Sequence, residues 1–168
     1  MPPHLIIEVE NSALWMMPAP TFSGSVPKTL DLLRDLRINH IVSLVEDDEA
    51  WRLGLEKLAP ECSTRDIQLH KLPIVDRKVP ASIKQFARLS SDCYQFISSG
   101  ESVAVHCKSG IGRSGMLICS LLGKLGFGMT EALTTIRNKR GLEAPNTIEQ
   151  LEWLEENWEV LSATAETP

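Results

Sequence analysis

The chain has 168 residues, the size of one domain, and 43% of them are hydrophobic, enough for an ordinary core. A net charge of −5 argues against a general nucleic-acid binder or a membrane-surface protein, while leaving room for a small basic site. No charged start followed by an apolar run of roughly 7–15 residues is present, and no window approaches the ~20 apolar residues of a span. Neither a signal peptide nor stable membrane insertion is therefore expected. Cys62, Cys93, Cys107 and Cys119 lack metal-like C-x-x-C spacing. A reducing cytoplasm is the simplest setting for such thiols.

In chain order, residues 5–9 and 13–17 are short apolar runs that read as strands. Ser25 is placed to cap a helix through about Arg37, with Pro27 near its start and Leu30, Leu33 and Leu36 along one side. Residues 40–45, HIVSLV, read as a buried strand. Residues 46–66 are charged and irregular, with a helix expected near 50–58. Residues 67–74 read as a strand running into Val75-Asp76, and Pro80 is expected to open a helix to about Ser98. A strand over 102–107, a helix over 113–125, a helix capped by Thr130 and ending at Arg140, and a last helix from Thr147 to about Leu161 follow. Residues 1–161 then form a single domain and 162–168 a frayed tail. Strands alternate with helices before helices take over, the pattern of an α/β sheet covered by helices.

The chemistry concentrates in SVAVHCKSGIGRSGMLICSLLG, residues 102–123. Gly110, Gly112 and Gly115 match G-x-G-x-x-G between a strand and a helix. A dinucleotide site also requires a second parallel strand ending in an acidic residue about 20 positions on. Here GFGMTEALTTIRNKRG reads as helix, with Glu131 upon it. A Walker loop needs Lys and then Ser or Thr where this chain has Met116 and Leu117. The esterase elbow G-x-S-x-G fails at the same methionine.

The run His106-Cys107-Lys108-Ser109-Gly110-Ile111-Gly112-Arg113-Ser114 has a coherent physical reading. Successive N–H groups turned inward form a nest for an anion, and glycines permit the angles. The following helix points its positive end at the same place. Arg113 can grip two phosphate oxygens with its planar fork. Cys107, at the loop's base, feels the same field, so its thiol is expected to ionise well below the usual ~8.5. Ser114 can donate to the sulfur. A lone cysteine at a strand end is usually a small buried hydrophobe; six residue types in register are another matter. A thiolate also needs an acid to protonate the leaving oxygen. Asp76 in LPIVDRKVP, between a strand and a helix start, is the candidate.

The motif H-C-x-x-G-x-G-R-S resembles the signature of the cysteine-based protein tyrosine phosphatase superfamily. The LWMMPAP opening, DLRINHIVSLVED, the Asp76 loop and the final helices resemble small, atypical dual-specificity phosphatases. That resemblance implies a central, mostly parallel sheet flanked by helices. It implies a nucleophile at Cys107, an acid at Asp76, phosphate held by Arg113 and the backbone of Lys108, Ser109, Gly110, Ile111 and Gly112, and no metal or cofactor. RGLEAPNTIEQLEWL resembles the family segment that orients the hydrolytic water, which points to Gln150 first and Asn146 second. Glu46 lies where relatives carry an acidic residue near the site, and a structural or solvated role is expected for it over a catalytic one. The implied substrate is a phosphotyrosyl protein or peptide, with phosphoserine and phosphothreonine as further candidates. No segment resembles the tyrosine-bearing loop of tyrosine-specific enzymes, so a shallow pocket is expected. Lys108 resembles the first of two loop lysines in phosphoinositide-cleaving relatives, but Ile111 holds the second position. Phosphoinositide is thus the alternative substrate, and a non-catalytic phosphoprotein-binding module the alternative class.

Overall fold

The computed structural model describes residues 2–164. Five strands, β1 (His4–Val9), β2 (Ser12–Met17), β3 (Ile38–Ser43), β4 (Gln68–Lys71) and β5 (Ser102–His106), form one sheet in the order β1-β2-β5-β3-β4. β1 and β2 are an antiparallel hairpin; β2, β5, β3 and β4 run parallel. β5 is the axis, and all five of its residues are buried. Its side chains alternate between two cores, as a period-2 strand requires. Val103 and Val105 face one core, and Ala104 faces the other.

The larger core is closed by α4 (Ile83–Ser98), α5 (Gly112–Lys124), α6 (Met129–Arg140) and α7 (Ile148–Ser162). The smaller lies under α1 (Val26–Asp35) and α3 (Leu58–Ser63). α5 runs through the larger core with every residue after Gly112 buried, which explains why its middle, 116–122, is apolar on every side except at Ser120. Each fully buried Leu, Ile or Met there contributes roughly 1.5–3 kcal/mol. No helix among the described residues is long and apolar enough to cross a membrane.

Local rules account for the departures from expectation. The single helix expected near 50–58 is two short ones, α2 (Asp47–Arg52) and α3, separated by Gly54 in the left-handed region at φ 73°. α4 begins at Ser82, whose side chain accepts from Gln85 N, and not at Pro80. α6 starts after Gly128, leaving Thr130 inside its first turn. β3 begins and ends two residues before the predicted 40–45; Leu44 and Val45 are buried but lead out toward α2. β4 is shorter than the predicted 67–74, although Leu72 N and Ile74 N still donate to Ser43 O and Leu44 O beyond it; Pro73 falls between them at the edge of the sheet, where no ladder bond needs an N–H from it. α7 extends to Ser162, and residues 165–168 of the expected tail lie outside the described residues.

Candidate active site

In a parallel sheet the loops after the strands gather at one edge, where ligands of such folds bind. The connections after β3, β4 and β5 meet there. Asp76, Arg77, Cys107, Lys108, Ser109, Ile111, Gly112, Arg113, Asn146 and Gln150 line a single pocket. Most of the sequence candidates are thus together. Gly110 and Ser114 are the exceptions, because neither lines the pocket.

Gly110 sits at φ 70°, and a Cβ there would lie 2.5 Å from the carbonyl of Met17. Both conformation and space demand glycine. Gly115 is required by space alone: its Cβ would lie 2.6 Å from Pro145 N. Ile111 occupies the N-cap position of α5 and offers no side-chain acceptor. The first amides of α5 are therefore left to face the pocket, where the helix dipole is positive.

Arg113 is 1% exposed. Its Nη1 and Nη2 donate to Glu49 Oε2 and Oε1 at 2.7 and 2.8 Å, a two-pronged ion pair. Nη1 also donates to Ile74 O at 2.9 Å, and Nη2 to Asp76 Oδ1 at 3.1 Å. Burial pushes the Glu49 carboxyl up, but the hydrogen bonds and charge of Arg113 outweigh it and hold the group below its ordinary value. Burial works against the Arg113 cation too, and Glu49, Cys107 and Asp76 together push its pKa up. Asp76 is half exposed, at a turn where Arg77 takes φ 66°.

His106 is fully buried beneath the loop, and its Nδ1–H donates to Cys107 O at 2.9 Å. Burial pushes its pKa down to about 4, so the ring is neutral. Gln150 is fully buried; its Nε2 donates to Lys78 O at 3.1 Å, while Oε1 has no partner among the described residues. This side chain ties α7 to the Asp76 loop, beside a Lys78–Glu149 ion pair at 3.8 Å. It also packs on the cysteine loop, since a Cβ at Gly112 would lie 2.8 Å from its Oε1. Asn146 is exposed at the rim. Ser114 is buried, but its hydroxyl makes no hydrogen bond to Cys107 or to any other group among the described residues. The expected donation to sulfur is not formed in this structure.

Two functional neighbours were not identified from sequence. Glu49, not Glu46, is the acidic residue at the site; Glu46 only precedes α2 as its N-cap. Arg140, 6% exposed, donates from Nη2 to Ser109 O (3.0 Å) and from Nε to Gly110 O (3.1 Å). The other cysteines are free and buried. Burial pushes Cys62 up to about 11 and Cys93 and Cys119 to about 12, as befits packing residues. After α5 come only helices, so the second parallel strand of a dinucleotide site does not exist among the described residues.

A model of the dual specificity phosphatase catalytic domain matches residues 22–157. The β1-β2 hairpin falls outside that match. Dual specificity protein phosphatase 1B of Arabidopsis thaliana is 29% identical over 141 residues, 81% of this chain and 78% of the relative. Among solved structures, Tk-PTP in its active form is similar with a TM-score of 0.74 and 30% identity, over 95% of this chain and 99% of that one. Kinase associated phosphatase, with its catalytic cysteine substituted by serine, gives a TM-score of 0.81 at 22% identity, over 97% and 98%.

Proposed function

Because the chain belongs to the dual specificity phosphatase family, whose members are cysteine-dependent phosphatases, we propose that it hydrolyses phosphotyrosine, and also phosphoserine and phosphothreonine, in protein substrates. The reaction runs in two displacements. The Cys107 thiolate attacks phosphorus, forming an S–P bond as the bond to the leaving oxygen breaks. The carboxylic acid of Asp76 protonates that oxygen. Water then attacks the cysteinyl-phosphate, giving a proton to the Asp76 carboxylate, and inorganic phosphate leaves as the thiolate is restored.

The observation that carries this reading is the placement of Arg113. Its guanidinium is buried and clamped by Glu49, and it lines the same pocket as Cys107, Asp76 and Gln150. Glu49 takes both Nη1 and Nη2, and Ile74 O a further bond from Nη1; the edge of the fork that includes Nε is the one we assign to phosphate oxygens. Asp76 occupies Nη2 in the free protein and must leave it when substrate binds. The unpartnered Oε1 of Gln150 suits an acceptor that orients the second-step water.

Exposed Lys108 and Arg77 at the pocket mouth favour a highly charged ligand, which makes phosphoinositide the second reading. Trapping with Cys107→Ser protein and a turnover panel of phosphotyrosyl, phosphoseryl and phosphothreonyl peptides and phosphoinositide vesicles tests both. Fastest turnover on phosphotyrosyl peptides is expected. A lipid preferred over every peptide would establish the second reading, and phosphopeptide capture without hydrolysis by the wild-type chain would reduce the protein to a binding module.

A further inference from the structure

Amides can turn inward around an anion only if the carbonyls of the same peptides turn outward, and each carbonyl then needs a donor. Every carbonyl from His106 to Gly110 has one. Leu44 N donates to His106 O at 3.1 Å, His106 Nδ1 to Cys107 O at 2.9 Å, and Ala19 N to Lys108 O at 2.9 Å. The next two, Ser109 O and Gly110 O, depend on a single side chain from another helix, that of Arg140. These are also the peptides flanking the left-handed Gly110, where a residue without a Cβ leaves the backbone most free to rotate.

Arg140 differs from Arg113 in its company. Arg113 faces two carboxylates, Glu49 and Asp76. Arg140 is nearly as buried, and its partners are all neutral acceptors: two carbonyls, and His4 Nε2 on β1 at 3.3 Å. No carboxylate pairs with it among the described residues. A buried cation without a counterion is costly. Burial pulls its pKa down, and only the charge of Cys107 pushes it back up. An anion in the loop supplies the countercharge that the fold does not.

We propose that Arg140 is a positioning residue for the phosphate loop: it holds the Ser109 and Gly110 peptides with their N–H groups inward and places an uncompensated positive charge behind the bound phosphoryl group. The proposal rests on the phosphatase reading of the pocket. Lysine keeps the charge but has no planar fork to reach both carbonyls at once.

The test compares wild type, Arg140→Lys and Arg140→Ala, using para-nitrophenyl phosphate as substrate and vanadate as oxyanion probe. Folding is checked by circular dichroism. For Arg140→Lys, kcat/KM falls about 10- to 100-fold and the vanadate inhibition constant rises about tenfold, the size of one or two charge-assisted hydrogen bonds. Arg140→Ala loses more, and methylguanidinium restores part of the loss without stimulating wild type. Arg140→Lys decides the matter where Arg140→Ala fails to fold. A folded Arg140→Lys with wild-type kcat/KM and vanadate affinity overturns the proposal. A lower kcat with unchanged vanadate inhibition also overturns it, because that pattern reports only a smaller active fraction. Failure of the wild-type chain itself to turn over substrate or respond to vanadate overturns the underlying reading, and the proposal with it.

Discussion

The two ends of the parallel sheet each carry a buried polar cluster, and the clusters are built on opposite principles. At the end away from the pocket, His40 is 1% exposed and stacked on Phe96 with ring centroids 3.7 Å apart. Both of its ring nitrogens are engaged, with His70 Nε2 at 3.0 Å and Glu101 Oε2 at 2.9 Å. At the other end the cysteine loop is surrounded by groups that lack a partner. Of the four buried side-chain polar atoms without one among the described residues, three, on His106, Ser114 and Gln150, belong to this neighbourhood. A completed polar network fixes a fold; an incomplete one is where a ligand has work left to do. Titratable residues alone would not have told the two ends apart.

The difference can be broken most sharply with Cys107→Ser. Turnover is expected to fall by at least about three orders of magnitude, with the urea midpoint unchanged; persistent turnover would put the nucleophile elsewhere. Asp76→Ala comes next. It should cost about 10²- to 10³-fold on phenyl phosphate and far less on para-nitrophenyl phosphate, whose leaving group needs little help. Equal losses on both would remove Asp76 as the acid. Glu49→Gln removes one partner of a buried pair, so it should cost stability as well as activity, about 3 kcal/mol in urea unfolding together with a raised KM. An unaffected KM would show that Arg113 does not need its clamp.

The pH dependence of stability sharpens the comparison. His106 is held neutral, its pKa pushed down from 6.5 to about 4 by burial. Below pH 6.5 the unfolded chain takes up a proton that the native state refuses, so stability declines as pH falls from 6.5 toward 4. The loss approaches about 3 kcal/mol. The depressed Glu49 carboxyl acts in the same direction at lower pH, its contribution present above its ordinary value of 4.5 and lost as pH falls through its native one. Urea unfolding of wild type and His106→Asn between pH 7 and 4 checks this: the variant should show a flatter profile. The smallest effect is expected at the far end, where His40→Gln should lose about 1–3 kcal/mol of stability and leave kcat/KM at the wild-type value. A fall in kcat/KM would mean that the two ends are coupled.

Much of this was legible in the sequence because single residues carried it. Ser25 is an N-cap as expected, accepting from Lys28 N, and the last helix does start at Thr147, which caps it by accepting from Gln150 N. The β-rich run SVAVH and the glycines after it located the strand, the loop and the helix. Glu49 was not legible. It stands among Glu46, Asp47 and Asp48, and only the phase of the short α2 helix selects the one that turns inward. Arg140 left a signal that composition hid. Ala132, Ile136 and Arg140 recur at intervals of four and form the buried face of α6, but a basic RNKR stretch at a helix end reads first as a solvated, dipole-matched terminus. Gln150 was expected near water, yet its buried amide ties α7 to the Asp76 loop, a long-range contact that spacing does not encode.

The central claim is that Cys107 lies at the base of an amide-lined cradle and takes the phosphoryl group covalently. Rapid acid quenching during turnover of a phosphotyrosyl peptide, followed by digestion and mass spectrometry, tests it directly. The account predicts phosphate on the peptide bearing Cys107 in wild type, with more of it in Gln150→Ala, where hydrolysis of the cysteinyl-phosphate is slowed. Turnover that proceeds with no phosphate on that cysteine at any quench time would contradict it.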